Sequence, residues 1–410
     1  PSSASNRRTW TWSAWIKRAS FGSSSNGHTL WETEGTNGGD NFIFQIKSSN
    51  DTVHLHTYGN DVFTTTRKLR DTSAWYHIVL AMDTTQGTAA NRIKLYINGE
   101  LQAITQAALF PSQNFEFGIN KNHKHCIGSH GTNADYYFDG LMSHIHFSDG
   151  YALAPTVFGS VDSTTGEWKI NTSPSFTLGT YGFTILKDGN TITDQSSNSN
   201  NWSLGGGTLT NTKDCPSNVL ATNNPLWKQE SSRYFTHSYG NTMVTSGGSN
   251  AWYQTPATLA FSSGKFYWEC KFNYNTANID KNTAGVIDYD KTQESGQFQD
   301  KVGSVFFKNE DGGETRLDGS TSSANYGEIA HNQILGIAVD IDASTPTVKF
   351  YRNGSLLATV NASSLAGKFV TPAQTSYAAG RYQVNYGNGY FGATAITTNS
   401  GNGYAGAEGA

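Results

Sequence analysis

Large apolar side chains recur at every second position in many short segments of this chain of 410 residues. Trp10 and Trp12 open the pattern, and residues 42–46 and 53–56 continue it. Helical spacing, with apolar residues at i, i+3, i+4 and i+7, does not persist over any window of about 12 residues. Successive residues of a strand point to opposite faces, so this alternation predicts an all-β fold built from short strands.

Two longer apolar runs, residues 75–82 and 334–341, predict strands at the centre of a sheet, because strands buried on both faces lose the alternation. Each run precedes an alternating strand that ends in an Asn-Gly pair, which begins at Asn98 in the first case and at Asn353 in the second. Asn-Gly is typical of two-residue hairpin turns with positive φ. The two halves of the chain therefore repeat one local design.

The composition supports short strands joined by polar turns. Aromatic residues make up 13% of the chain, charged residues only 15%, and there are 43 glycines. The formal net charge is −4 and no block of Lys and Arg stands out, which argues against nucleic acid as a partner. No apolar run reaches the length of about 18 residues that a membrane-spanning helix needs, so no membrane insertion is expected.

The three cysteines, Cys126, Cys215 and Cys270, have spacings that match no zinc or redox motif. An odd number also leaves at least one thiol free, so no disulfide framework is expected. This usage is typical of a chain made in a reducing cytosol, including one that later works outside the cell. No signal peptide is visible either.

The pattern divides the chain into four parts. Residues 1–160 and 231–395 carry the strand signals and predict two antiparallel β-sandwiches in tandem. Residues 161–230 are rich in Ser, Asn, Thr and Gly but contain three tryptophans, so we interpret them as a connector packed between the domains. A disordered linker is the alternative, although such linkers seldom carry tryptophan. Residues 396–410 are rich in Gly and predict a loose tail.

The first domain resembles the laminin-G-like, concanavalin A-like sandwich over about residues 10–158. The segments that carry the resemblance are WSAWI (12–16), WYHIV (75–79), KLYING (94–99) and FDGL (138–141). The resemblance implies a jelly roll of two sheets. Such domains hold Ca²⁺ at the rim through carboxylate and carbonyl oxygens, which makes Asp40, Asp61 and Asp135 candidate calcium ligands. No other cofactor is expected.

The second domain resembles a SPRY domain, again a jelly-roll sandwich. The carrying segments are GKFYWE (264–269), ILGIAVD (334–340), VKFYRNG (348–354) and NYG (385–387). The resemblance implies a module that binds a protein or another ligand and has no catalytic centre.

The region between the domains is similar to virion proteins of tailed bacteriophages, especially those from aquatic hosts. Its carrying segments are DGYALAPT (149–156), DSTTGEW (162–168), NNW (200–202), PSN (216–218) and NNPL (223–226). This resemblance implies a structural or binding protein of the virion, made in the host cytoplasm and exposed outside the cell. It would be a tail fibre or decoration that contacts host-surface glycan or other virion proteins.

The implied appendage would be a homo-oligomer, with a trimer expected, because repeated weak sites gain avidity. The alternative is a carbohydrate-binding module of a secreted or cell-surface protein. An upstream signal peptide would favour that alternative.

A third hypothesis is a glycoside hydrolase, since such enzymes also use this sandwich and need two carboxylates beside the scissile bond. Their Glu-x-Asp-x-x-Glu pattern does not occur here. Glu32 and Glu34 share a strand face but precede a loop of Gly and Asn, and Asp340 and Asp342 lie where a turn is expected. We therefore predict a non-enzymatic protein without catalytic residues.

Sugar-binding sites combine aromatic faces that stack on pyranose rings with polar groups that bind hydroxyls. The candidate ligand-binding residues are Trp31, Tyr58, Asp135, Tyr136 and Tyr137. Most other aromatic residues occupy alternate strand positions and are expected in the core.

Three His-x-His pairs place two imidazoles on one strand face, where they could bind a metal. The pairs are His54/His56, His123/His125 and His144/His146. The more conservative interpretation is solvated or interface residues. In the last pair, inward Ile145 and Phe147 predict that both histidines face outward.

Overall fold

The computed structural model describes residues 1–21, 27–35, 40–57, 60–105, 111–131, 136–227, 235–247, 251–272, 282–310, 312–377, 380–392 and 394–395. They form two compact units, Pro1–Asn211 (unit 1) and Thr212–Ala410 (unit 2). Throughout the described residues the strands pair antiparallel, and the only helices there are short 3-10 turns. The all-β prediction with two tandem sandwiches is confirmed.

The strands of unit 1 are β1 (Thr9–Arg18), β2 (His28–Thr33), β3 (Phe42–Ile46), β4 (Thr52–Thr57), β5 (Asn60–Lys68), β6 (Tyr76–Asp83), β7 (Ile93–Ile97), β8 (Glu100–Leu101), β9 (Ile104–Thr105), β10 (His125–Ile127), β11 (Gly140–Asp149), β12 (Gly159–Val161), β13 (Trp168–Ile170) and β14 (Phe183–Ile185). Its 3-10 helices are Ala89–Asn91 and Pro155–Val157. The first sheet has the order β14-β11-β1-β6-β7-β8 and the second β10-β2-β3-β4-β5-β9. Strands β12 and β13 form a separate hairpin.

Aromatic rings from both sheets form the core of unit 1. Trp10 and Trp12 on β1 are fully buried, as the alternation predicts. Trp10 meets Trp31 of the second sheet edge to face at 5.6 Å, a favoured arrangement of aromatic rings. The alternation continues through Ala14 and Ile16, which also lie in the core. Trp15 therefore lies on the outer face of the first sheet.

The strands of unit 2 are β15 (Thr236–Ser238), β16 (Met243–Thr245), β17 (Trp252–Pro256), β18 (Lys265–Phe272), β19 (Asn282–Asp288), β20 (Ser304–Lys308), β21 (Glu314–Leu317), β22 (Ser320–Thr321), β23 (Ile334–Asp340), β24 (Thr347–Arg352), β25 (Ser355–Asn361), β26 (Val370–Tyr377), β27 (Arg381–Asn385), β28 (Tyr390–Phe391) and β29 (Thr394–Ala395). Its 3-10 helices are Tyr289–Gln293, Phe298–Asp300 and Ser363–Leu365. One sheet runs β15-β16-β27-β18-β23-β24-β25 and the other β17-β26-β19-β20-β21-β22. Buried side chains from both sheets, including Trp268 and Phe350, form its core.

Both predicted Asn-Gly hairpins have the expected turn. Asn98 has φ of 50° and Asn353 has φ of 45°, and the glycine after each also has positive φ. The asparagine side chain adds a second function, because Asn98 Oδ1 accepts the N–H of His77 at 2.8 Å and Asn353 Oδ1 accepts the N–H of Ile334 at 2.9 Å. In both units the turn is thus tied to the start of the central strand.

The predicted connector falls into both units. Residues 161–211 belong to unit 1, where β14 extends the first sheet beside β11 and Trp202 packs on Phe183 at 5.1 Å. Residues 212–227 fall in unit 2. The packing of this segment between two domains stays a prediction, and the tail at 396–410 lies outside the described residues. No helix in the described part of the chain is long and apolar enough to cross a membrane.

Candidate functional site

The side chains that point away from the core on the second sheet of unit 1 are mainly polar. The strand register places Glu32 of β2 in one row with His56 of β4 and Asp61 of β5. In the neighbouring row, Gln45 of β3 lies opposite His54 of β4. We call these five residues the outer polar face.

The outer face of a sandwich usually meets water, but this one is largely covered. Glu32 is 0% exposed, His54 3% and Gln45 9%. Two loop glycines contribute to the cover. A Cβ at Gly27 would lie 2.3 Å from Gln45 Oε1, and the N–H of Gly131 donates to Glu32 Oε2 at 2.8 Å. Glu32, His54 and Gln45 are therefore recessed below the loops, whereas Asp61 at the end of the same face is exposed.

Glu32 has an incomplete set of hydrogen bonds. Its Oε2 accepts from Gly131, whereas Oε1 is buried and has no hydrogen-bond partner among the described residues. His130 Nε2 lies 3.5 Å from Oε1. Burial raises the pKa of Glu32 to about 7. Near neutral pH this carboxyl group is thus partly protonated, and in its ionised form Oε1 can accept a hydrogen bond from a further donor.

The two histidines of the outer polar face lie parallel, with ring centroids 5.0 Å apart. His54 Nδ1 is 3.3 Å from the amide nitrogen of Gln45, and His54 Nε2 is 2.7 Å from Asp61 Oδ1. Because the amide nitrogen is a donor, Nδ1 accepts and Nε2 carries the proton that it donates to Asp61. Burial lowers the pKa of His54 to about 4, so the ring is neutral and fixed in orientation at pH 7.

The five candidate ligand-binding residues are placed very differently. Trp31 is 1% exposed and packs on Phe147 in the core at 5.0 Å, so it does not reach a surface ligand. Tyr136 is half-buried and its ring lies 5.3 Å from that of His130, beside Glu32. Tyr137 is exposed. Tyr58 and Asp135 lie outside the described residues. Of the three described candidates, Tyr136 alone lies near the outer polar face, through the contact of its ring with His130.

The two calcium candidates that are described are engaged with cations. Asp40 accepts from Lys121 Nζ at 2.6 Å and lies 3.3 Å from Arg7. Asp61 binds His54 and lies 3.7 Å from Lys47 Nζ. Asp135 is outside the described residues, and no group of three His, Cys, Asp or Glu side chains within them could hold a metal ion. Calcium stays a prediction.

The Glu32/Glu34 pair does not form two equivalent carboxylates. Glu34 Oε1 accepts from Lys124 Nζ at 2.8 Å, near the surface, whereas Glu32 is fully buried. Sequence reasoning considered Glu32 only as half of a catalytic pair and missed Gln45. The alternation in Phe-Ile-Phe-Gln-Ile could have identified Gln45, because it lies two residues after the outward Ile43 and so points to the same outer face.

A Ser-His pair lies on the outer face of the first sheet, with His77 Nε2 2.8 Å from Ser13 Oγ. Trp168 Nε1 donates to His77 Nδ1 at 3.0 Å, so the proton of this neutral imidazole is on Nε2. Such a ring donates to Ser13 and cannot accept its proton. The pair is therefore not an activated nucleophile.

The third His-x-His pair does lie on this outer face, but it is not solvated. His144 and His146 are 7% and 3% exposed. His146 Nδ1 is 2.9 Å from Thr184 Oγ1, and its ring stacks on Phe158 at 5.5 Å. Residues from the segment that follows β11, among them Phe158 and Thr184, cover the two histidines. Local alternation in the sequence does not show that this segment folds back over β11.

Residues 1–158 match the family model Laminin_G_3, described as the concanavalin A-like lectin/glucanases superfamily. The class that this part of the chain resembles is therefore the concanavalin A-like sandwich of lectins and glucanases. No curated protein matches the chain.

Several solved structures are similar to parts of the chain. The TRIM65 PSpry domain is 18% identical, and the match covers 40% of this chain and 88% of that domain, with a TM-score of 0.32. The SPRY domain of human HERC1 is 12% identical, with coverage of 40% and 96% and a TM-score of 0.31. A further human SPRY domain is 12% identical, with coverage of 37% and 93% and a TM-score of 0.30. These low scores assign no function.

Proposed function

We propose that the chain is a non-enzymatic binding protein whose unit 1 holds a saccharide at the outer polar face. The observation that carries this proposal is the buried Oε1 of Glu32, which has no hydrogen-bond partner among the described residues. A buried acceptor left without a partner costs about 1–3 kcal/mol. A ligand hydroxyl that donates to Oε1 would offset this cost.

The other members of the face suit the same class of ligand. Gln45 is held in a fixed orientation by its contact with His54, and the half-buried ring of Tyr136 offers an aromatic surface near Glu32. Glu32 and Asp61 stand three strands apart, which corresponds to about 14 Å at the usual strand spacing. This length favours an oligosaccharide over a single sugar ring. The similarity of residues 1–158 to a superfamily of lectins and glucanases supports the same ligand class.

The setting that we propose is the virion of a tailed phage, where the chain would be part of a tail fibre or decoration and would bind host-surface glycan or other virion proteins. The support is the similarity of residues 149–226 to phage virion proteins, together with the saccharide site. A homotrimer is the assembly expected there. A carbohydrate-binding module of a secreted or cell-surface protein would use the same site.

Binding of the purified chain to a panel of bacterial polysaccharides tests the proposal. We expect Glu32→Gln to weaken binding at least tenfold, since it removes the acceptor oxygen at almost constant volume. Glu34→Gln is the matched control on the same strand face, and it should bind like the wild type. Equal binding by Glu32→Gln, or no binding by the wild type, would contradict the saccharide site.

The same samples separate binding from hydrolysis. We expect no release of reducing ends from any polysaccharide that the chain binds. Sustained release that is lost in Glu32→Gln would replace the binding proposal with the hydrolase alternative.

A further inference from the structure

The sheet edges of the two sandwiches differ greatly in length. The edge strands β8, β9, β10, β14, β15 and β22 contain two or three residues each. Strand β17 has five residues, but it ends in Pro256, whose carbonyl accepts the N–H of Asn224 at 2.9 Å. Strand β25 has seven residues. It is the longest edge strand among the described residues.

Backbone groups of β25 point to the open side of the sheet. The N–H of Ala362 donates to the carbonyl of Pro346 at 2.7 Å. These two residues lie opposite each other just beyond β25 and β24, and they are therefore a hydrogen-bonded pair of the ladder. Hydrogen-bonded and non-bonded pairs alternate along an antiparallel ladder. In the register of β24 and β25, Thr359 and Asn361 therefore direct their N–H and C=O groups away from β24. Within the described residues, no backbone hydrogen bond joins β25 to a strand other than β24.

The side chains of β25 lack the usual protection of an edge. Natural edges carry Lys, Pro or inward-pointing charges that prevent pairing with another chain. The β25 sequence, Ser-Leu-Leu-Ala-Thr-Val-Asn, has neither charge nor proline, and Leu356 is 56% exposed. Its one protective feature is a bulge opposite Phe350 and Tyr351, a device that natural edges also use against pairing. This bulge leaves the stretch from Ala358 to Asn361 regular.

We propose that β25 is an interaction edge that pairs antiparallel with β25 of a second copy of this chain. A two-fold axis brings identical surfaces together, so like charges would repel across it. An uncharged strand avoids this problem. The nearest charged side chain is the exposed Lys349 on β24. In each copy this lysine lies one strand further from the two-fold axis than β25 does. Three strand spacings separate the two lysines, about 14 Å, which exceeds the screening length of about 8 Å at physiological salt.

The contact is two-fold and does not depend on the saccharide site. It would join the open N–H and C=O groups of Thr359 and Asn361 to the same groups of the partner and continue the seven-stranded sheet across the dimer. It would also cover Leu356.

The mass of the full chain in solution tests the edge. We expect a concentration-dependent doubling of the mass, to a dimer of the single chain or to a hexamer where the chain also forms the proposed trimer. Thr359→Lys places like charges beside the axis and should weaken the dimer at least tenfold. Thr359→Pro removes an outward N–H that the chain itself does not use, and it should have the same effect. Ser320→Lys, on the short edge strand β22, is the matched control and should leave the dimer intact.

A wild-type chain that stays monomeric would overturn the proposal. An oligomer of any size that persists unchanged in both Thr359 variants would also overturn it. Unfolding temperatures of the four proteins confirm that each variant is folded, so that a loss of the dimer reports on the edge alone.

Discussion

Among the described residues, each unit buries one glutamate on the outer face of a sheet, and the two side chains differ in how their oxygens are satisfied. Glu269 of unit 2 is 1% exposed and receives Tyr267 OH at 3.1 Å and Asn385 Nδ2 at 3.3 Å, one on each oxygen. Glu32 of unit 1 has one oxygen with no hydrogen-bond partner in the described part of the chain. Burial raises the pKa of both. A complete network stabilises a fold, whereas an incomplete one leaves an acceptor for a ligand.

The units also differ in their buried histidines. In unit 1, burial lowers the pKa of six histidines to about 3 or 4: His28, His54, His77, His125, His144 and His146. In the described part of unit 2, the corresponding residue is His237, with a pKa of about 4. Unit 1 therefore depends far more on neutral imidazoles than unit 2 does.

The largest expected effect of this difference is acid unfolding of unit 1 before unit 2. Between pH 6.5 and the folded pKa values of about 3 or 4, the unfolded chain binds protons that the folded chain does not. Each such histidine removes about 1.4 kcal/mol of stability per pH unit in that window. Protonation of Glu32 stabilises the folded state as the pH falls from 7 to 4.5, but this single group is opposed by six histidines. In hydrogen-exchange measurements at stepwise lower pH, peptides from residues 1–211 should lose their protection at a higher pH than peptides from unit 2.

The control is a chain with His77→Gln, which removes one of these titrations while keeping an acceptor for Trp168 and a donor for Ser13, and it should shift the opening of unit 1 to lower pH. Simultaneous opening of both units, or earlier opening of unit 2, would contradict the histidine account.

A smaller effect separates the two glutamates. Glu269→Gln should lower the stability of unit 2 by about 1–3 kcal/mol, because it disturbs a satisfied buried network. It should leave polysaccharide binding unchanged. Glu32→Gln should weaken binding with little loss of stability. Denaturant unfolding and binding assays on both variants measure the two effects, and a loss of saccharide binding in Glu269→Gln would break the comparison.

The smallest expected effect is one that the units share. Asn98→Ala and Asn353→Ala each remove one hydrogen bond and place a less suitable residue at positive φ, at a cost of about 1–2 kcal/mol. Thermal unfolding should show comparable losses. A loss in only one variant would mean that the two hairpins are not equivalent.

The strands were predictable because they follow from local alternation, and both central strands and both hairpins lie where the pattern places them. Glu32 points outward because Trp31 before it points into the core, but we predicted Trp31 as a ligand-binding residue and did not identify this position of Glu32. Its burial was not readable, because the cover comes from Gly131, 99 residues away in the sequence. The cover of His77 has the same origin, since Trp168 is 91 residues away.

The most direct test of the saccharide site is hydrogen exchange of the full chain with and without a polysaccharide that it retains. The account predicts slower exchange in peptides covering residues 28–35 and 42–57, no change in unit 2, and no such protection in Glu32→Gln. Protection confined to unit 2, or protection of residues 28–57 that persists in Glu32→Gln, would contradict it.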